Sequence, residues 1–385
     1  MDHSPETFRF EILCKDGESS ARVGRITTAH GQIHTPAFMP IGTQGTVKTF
    51  EAGELEELGA QIILGNSYHL YLRPGPEVIE SCGGLHRFIS WRRPLLTDSG
   101  GFQFYSLKVL NKINDEGIEF QSHIDGSRHS FTPERAIKIQ HQLGADIIMA
   151  LDECPPYEAG QSYVAVATER TVRWAKRCLS EHTKLSEKKQ GLSLFGILQG
   201  GVYPELRRGC AEALLSYDFP GYAIGGLAVG EPREATFEIL PVCTESLPEE
   251  KPRYLMGVGT PRDIVEAVAA GVDLFDCVLP TRNARNGTVF THQGKMVIKG
   301  ASYARDPAPI EEECGCLACR RYSRAYIRHL LSVGEILGLR LTSWHNLYFY
   351  LQLMRQIREA VSEGRFKSWK KSFLESYQER KETEG

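Results

Sequence analysis

The 385 residues are 41% hydrophobic and 24% charged, the make-up of a globular chain with material for a sizeable core, which excludes a disordered or low-complexity protein. A net charge of -3 offers no global attraction to a polyanion, so a nucleic-acid surface has to be a local patch. No run approaches the length of a membrane span, and the start MDHSPETFRF has neither the basic nor the apolar part of a signal peptide, so the expectation is a cytoplasmic protein with no membrane segment.

Along the chain, a strand region is predicted over 8–38, punctuated by Gly24 and Gly31. Eight short apolar runs follow, at 37–42, 61–66, 94–100, 146–153, 193–200, 222–230, 254–259 and 272–280. Helix-like segments separate them, several opening at Thr-Pro pairs such as Thr132-Pro133 and Thr260-Pro261 and closing at glycine. Buried strands alternating with helices predict an α/β fold, a (β/α)8 TIM barrel occupying 1–385 as one domain. Two insertions interrupt the pattern. Segment 117–131 alternates apolar and polar residues around Asp125-Gly126, which predicts an inserted β-hairpin with a type I′ turn. After the eighth strand, a cysteine-rich stretch predicts a zinc-binding subdomain over 306–350, followed by C-terminal helices.

In such barrels the C-terminal ends of the strands carry the active site. Here the runs end in Asn66, Asp98, Asp152 with Glu153, Gln199, Gly225-Gly226-Leu227, Met256 with Gly257, and Asp276. Asp and Asn also end strands as turn formers and caps, but three carboxylates and an amide converging on one face suit chemistry at a sugar carbon. Asp98 and Asp276 form the natural pair. Asp152 and Gln199 offer acceptor and donor edges for a flat heterocycle, and the paired glycines allow close approach to backbone. On these grounds a glycosidase and a glycosyl transferase acting on a nucleobase remain equal.

Of the ten cysteines, Cys314, Cys316 and Cys319 crowd into six residues while the others are scattered, which points to reduced thiols and one metal site. Zinc needs a fourth ligand, for which His345 is the best candidate; four protein ligands leave no open position, so one structural Zn²⁺ per chain is expected. Beyond Asp276 runs a strip of Arg282, Arg285, Lys295, Lys299 and Arg305 without an acidic residue, followed by Arg320, Arg321, Arg324 and Arg328. A solvated face is the simplest reading of a charge run, yet a strip starting six residues past a candidate nucleophile also suits gripping phosphates.

Taken together, TDSGGFQ at 97–103, LDEC at 151–154, GYAIGGLAVGE at 221–231, YLMGVGTP at 254–261, FDCVLPTRNARNG at 275–287 and the CxCxxC with its later histidine resemble the bacterial tRNA-guanine transglycosylases, also called queuine tRNA-ribosyltransferases, over about 8–373. The resemblance implies a ping-pong exchange of the wobble guanine (position 34) in tRNAs with a G-U-N anticodon, within queuosine biosynthesis. Asp276 would attack the ribose C1′ to give a covalent RNA intermediate, and Asp98 would be the acid for departing guanine and then the base for the incoming 7-deazaguanine. Asp152, Gln199, Gly226 and Leu227 would hold the base, Phe102 and Met256 would sandwich it, and Ser99 would touch it. Gly257, Val258, Gly259, Thr260, Pro261, Arg262 and Asp263, with Thr281, Arg282, Asn283, Ala284 and Arg285, match RNA-contacting segments for the anticodon loop. Cys154 and Val229 resemble members using preQ1 (7-aminomethyl-7-deazaguanine), favoured here over queuine. The family's homodimers imply a dimer, with Tyr322, Tyr326 and His329 in the matching interface helix.

Two other readings compete. A retaining glycoside hydrolase would use the same carboxylate pair, but it needs neither an arginine-rich segment beside its nucleophile nor a zinc knuckle. A non-catalytic tRNA-binding subunit has little reason to keep both Asp98 and Asp276.

Overall fold

The computed structural model describes residues 8–101, 103, 111–187 and 189–377. The chain opens with strands β1 (Arg9–Lys15), β2 (Arg22–Thr28) and β3 (Gly31–Thr35), an antiparallel sheet in that order. Then come β4 (Ala37–Met39), β5 (Ile41–Gly42), β6 (Ile63–Gly65) and β7 (Leu95–Thr97). An insertion, β8 (Asn111–Asn114), β9 (Gly117–Gln121) and β10 (Arg128–Phe131), precedes β11 (Ile147–Met149), β12 (Ser193–Leu198), β13 (Tyr222–Ile224), β14 (Arg253–Leu255) and β15 (Leu274–Asp276).

Nine of these short strands form one parallel sheet in the order β4-β15-β14-β13-β12-β11-β7-β6-β5. Its two edges, β4 and β5, are the halves of the first predicted run, parted at Pro40, which has no N–H to give a ladder. The first half pairs with β15 and the second with β6, so the eight-run barrel closes through one broken strand. The strands read as unbroken apolar runs because both faces are covered, inside by one another and outside by helices such as Pro133–Leu143, Pro204–Leu215 and Pro261–Ala269. Two of those helices start as their sequences predict: Thr132 and Thr260 accept hydrogen bonds from the backbone N–H of Arg135 and Asp263, with proline in the first turn.

The N-terminal sheet plugs the bottom of the barrel. Ile26 and Ile33, both fully buried, join the inner cluster with Met39, Leu64, Leu96, Phe195 and Leu274. Two buried aspartates bolt it in place. Asp273, just ahead of β15, takes Arg22 Nε at 2.9 Å and Nη2 at 2.6 Å. Asp146, just ahead of β11, receives His30 Nδ1 at 2.8 Å, His86 Nε2 at 3.1 Å and the Leu95 N–H at 2.9 Å.

The insertion differs from the predicted hairpin in two ways. It is a three-stranded antiparallel sheet, β10-β9-β8, because 111–114 adds a strand that its polar sequence NKIN does not announce. The turn is not type I′: Gly126 has φ +75°, but Asp125 does not take the left-handed conformation that a I′ turn also needs. Instead Asp125 Oδ1 accepts the N–H and hydroxyl of Ser127, and Ser122 Oγ accepts the Ile124 N–H, so side chains build a longer loop over 122–127.

Beyond β15 lie the helix Leu279–Arg285, a hairpin of β16 (Thr288–Thr291) and β17 (Gly294–Val297), and the helices Leu317–Arg321, Arg324–Ser332, Ile336–Ser362 and Phe366–Ser376. Among the described residues no helix is long and apolar enough to cross a membrane.

Candidate active site

Every strand-end residue singled out in the sequence and lying in the described part is at the C-terminal end of its strand, opposite the plugged bottom. Asp98 follows β7, and its Oδ2 accepts from Asn66 Nδ2 at 2.5 Å while Oδ1 accepts the Ser67 N–H at 2.8 Å. Asn66 is fixed in turn as the N-cap of the helix Ser67–Leu72, its own Oδ1 accepting from the His69 N–H at 3.0 Å. Asp98 is partly exposed to the mouth of the barrel. Desolvation pushes its carboxyl up to about 7; the Ser67 N–H works against this, and the charges of Asp276 and Asp152 add to it.

Asp276 closes β15 and is buried, at 8% exposure. Its Oδ1 is pinned by Tyr254 Oη at 2.6 Å and the Gly257 N–H at 2.7 Å, leaving Oδ2 with no partner among the described residues. Burial holds this carboxyl above the usual range despite both donors. Tyr254 stays a phenol, since burial and the adjacent carboxylate push it well above its ordinary value. Asp152 accepts from Ser99 Oγ at 3.1 Å and from Gln199 Nε2 at 2.7 Å, and burial raises it too. A Cβ on Gly101 would meet the Asp152 backbone and side-chain oxygens at 2.8 Å, so the second glycine of DSGG allows this close approach. Three carboxylates thus share one low-dielectric mouth without a cationic partner among the described residues, a field that favours positive charge developing between them.

The wall between Asp152 and β13 is lined by Gln199, Gly226 and Leu227. Gln199 is 1% exposed, and its Oε1 has no hydrogen-bond partner among the described residues, so it is an acceptor a ligand could use. Gly226 takes φ +64°, out of reach of most side chains, and lies against the Gln199 amide. Leu227 is buried beside it, and Glu231 holds the next turn by accepting from the N–H groups of Ala228 and Val229. Met256 is partly buried against the inner cluster at the mouth. Phe102 lies outside the described residues.

The two predicted RNA segments flank Asp276. Gly257 and Arg282 are exposed, and Arg262, Asn283 and Arg285 partly so. The side chains of Val258, Pro261, Thr281 and Ala284 are buried, so they shape the segments instead of offering contacts. Gly259 is likewise buried, Thr260 caps its helix and Asp263 pairs with Arg233 Nε at 2.6 Å. Segment 281–285 forms most of a short helix, with Lys48 close enough to Arg285 for their charges to interact.

Sequence reasoning missed what holds these segments, because one long helix does it from far along the chain. From Ile336–Ser362, Thr342 Oγ1 donates to the Ala284 carbonyl, Asn346 Nδ2 to the Pro280 and Thr288 carbonyls, and Tyr350 Oη to the Gly259 carbonyl. Between them sits His345. Its Nε2–H donates to the Phe290 carbonyl at 2.7 Å, which leaves the Nδ1 lone pair facing Cys314, Cys316 and Cys319 Sγ at 3.7, 3.6 and 3.4 Å. Tetrahedral zinc, with bonds of about 2.3 Å to sulfur and 2.0–2.1 Å to nitrogen, sets its S and N ligands roughly 3.6 Å apart. The Cys₃His cluster therefore fits a zinc site. A second group, His30, His86 and Asp146, is also close together, but the two rings stack at 3.7 Å and 16°, so a single ion cannot lie in both ring planes.

Fold and site define a (β/α)8-barrel enzyme with a carboxylate centre at the strand ends and a separate Cys₃His cluster that could hold a metal ion. The family model described as Queuine tRNA-ribosyltransferase matches residues 16–379, and the chain belongs to that family. It is 56% identical over 369 residues to the queuine tRNA-ribosyltransferase of Caldanaerobacter subterraneus subsp. tengcongensis, covering 96% of this chain and 97% of the relative. The relative of the same description from Thermoanaerobacter sp. strain X514 matches with the same identity and coverage. That of Fusobacterium nucleatum subsp. nucleatum is 55% identical over 376 residues, 97% of this chain and 99% of the relative.

Proposed function

We propose that this chain is a tRNA-guanine transglycosylase that exchanges the wobble guanine at position 34 of G-U-N anticodon tRNAs for a 7-deazaguanine, preQ1 before queuine. The observation that carries the reading is the unequal dressing of two neighbouring carboxylates. Asp276 has one oxygen anchored by Tyr254 and Gly257 and the other without a partner among the described residues, the arrangement of an aimed nucleophile. Asp98 has a carboxyl raised to about 7, near the pH at which it would give and take protons.

In the first half-reaction Asp276 Oδ2 bonds to ribose C1′ as the C1′–N bond to guanine breaks, and Asp98 supplies the proton that the departing base takes at its ring nitrogen. In the second, Asp98 accepts a ring N–H proton from the incoming base, whose nitrogen bonds to C1′ and releases the Asp276 carboxylate. Asp152 accepts N–H groups of either base, and Gln199 and the Gly226 backbone complete the same edge. Phe102 and Met256 would stack on its faces. The anticodon loop is single stranded, so extruding the base costs little.

Arg282 and Arg285, with Asn283 and the exposed backbone at Gly257, would grip and read the RNA beside the nucleophile. Cys314, Cys316, Cys319 and His345 would hold one structural Zn²⁺, which fixes the helix 336–362 that carries both RNA segments; with four protein ligands it has no position for substrate. A homodimer in the cytoplasm completes the proposal, supported by the exposed Tyr326, Val333 and Ile336 beside the stacked Tyr322–Tyr326 pair.

The test is incubation of the purified protein with labelled guanine and unmodified tRNA. Incorporation of label into tRNA is expected. Base release without incorporation would mark a hydrolase, and binding with neither would mark a non-catalytic subunit. Competition between preQ1 and queuine for the same site then decides the second substrate.

A further inference from the structure

Arg207 lies on the helix Pro204–Leu215, and among buried side chains it is an unusual one: a guanidinium with 0% exposure. Among the described residues no carboxylate pairs with it. All its hydrogen bonds go to backbone carbonyls: Nη1 to Leu198 and Gly225, each at 2.8 Å, Nε to Gly201 at 2.8 Å, and Nη2 to Gly226 at 3.4 Å. An enclosed charge without a counter-ion is expensive, and the carbonyls it gathers belong to the two strand ends that flank Gln199.

Those strand ends need holding. Gly225-Gly226 is a pair of residues without Cβ, so its peptide planes can rotate where other residues would be confined. A trans peptide is planar, with its N–H pointing opposite to its carbonyl. With the Gly225 carbonyl pulled back to Arg207, the Gly226 N–H must face the opposite way, away from the helix Pro204–Leu215. The Gln199 amide lies against the same two glycines.

We infer that Arg207 is a positioning residue for base recognition: from behind the wall it locks the Gly225-Gly226 peptide so that the Gly226 N–H is presented to the base as a donor. It touches neither base nor RNA, and its effect passes through the backbone. The inference rests on the proposed guanine exchange and adds the residue that fixes the specificity face. A lysine in its place keeps a charge but offers one point where the fork of Arg207 reaches four carbonyls.

The experiment is guanine exchange by Arg207→Lys, with KM measured separately for guanine and for tRNA and folding followed by thermal unfolding. One lost base hydrogen bond predicts a guanine KM raised about tenfold, with the tRNA KM within about twofold of the wild type. A folded variant with an unchanged guanine KM overturns the inference, as does a parallel rise in both KM values, the mark of a general structural role. If the lysine variant does not fold, Arg207→Gln takes its place with the same criteria; loss of folding in both would also overturn the inference, by placing the residue's whole effect on the barrel. Absence of exchange in the wild type would instead count against the proposed function.

Discussion

The two ends of the barrel treat buried aspartates in opposite ways. At the bottom, Asp273 is met by the Arg22 guanidinium, and Asp146 by two histidines and two backbone N–H groups. Burial alone would raise the Asp146 carboxyl, but the His30 and His86 hydrogen bonds overcome it and hold it far below its usual value. At the mouth, Asp98, Asp152 and Asp276 meet only neutral donors among the described residues, and all three are raised. The same residue type is a fastener at one end and, in the proposed function, a reactive group at the other. What separates them is the partner: a carboxylate held by a guanidinium or by two imidazoles is spent on stability, whereas one with amides and hydroxyls stays available for chemistry.

Substitutions at the two ends should therefore fail differently. The largest effect is expected at the proposed nucleophile: Asp276→Asn keeps shape but loses the attacking anion, and guanine exchange should fall by about 10⁴-fold or more with folding intact. At the bottom, Asp273→Ala strands the buried Arg22 charge and should cost about 3–5 kcal/mol in denaturant unfolding, while the exchange rate per folded molecule stays that of the wild type. Lost activity in a stable Asp273→Ala protein would erase the distinction between the ends.

Asp98 sharpens it through pH. Its folded value of about 7 against 3.8 in a free chain means that the folded protein keeps a proton the unfolded chain gives up. Stability from this group is full below pH 4 and declines as pH rises toward 7. Asp98→Asn removes that decline, so the variant should be more stable than the wild type at pH 8, by roughly 1–3 kcal/mol after discounting for its partial exposure, and no more stable at pH 4. Exchange should drop by about 10²-fold or more. A variant destabilised at pH 8 would contradict the raised value. The smallest effect is expected at the rim: Arg282→Ala and Arg285→Ala should each weaken tRNA binding and lower its salt slope by about 1 where the side chain meets a phosphate.

Much of this was legible because the signals are local. Strand-end Asp98, Asp152 and Asp276 stand out where apolar runs stop, Thr132-Pro133 and Thr260-Pro261 announce helix starts, and three cysteines within six residues call for a fourth ligand. What the sequence hid depends on tertiary placement. Asp146 and Asp273 stand where strands begin and look like turn formers, since their partners Arg22, His30 and His86 come from distant segments. Arg207, on a helix with polar neighbours, reads as a solvent-facing charge. Asn346, beside His345 of the Cys₃His cluster, shows nothing in its neighbours that marks it as the clamp on the segment after Asp276. The break of the first strand at Pro40 and the third strand at 111–114 were hidden as well, the one by a continuous apolar run and the other by a polar one.

The claim that the uncompensated mouth carboxylates do the chemistry is tested most directly by trapping the covalent intermediate. The protein is mixed with unmodified tRNA and a slowly transferred base analogue, the complex is denatured and digested, and the RNA-linked peptide is sequenced. The account predicts that the linkage falls on Asp276 and that Asp276→Asn gives none, while Asp98→Asn still binds tRNA. An adduct on Asp98, or one that persists in Asp276→Asn, would contradict it.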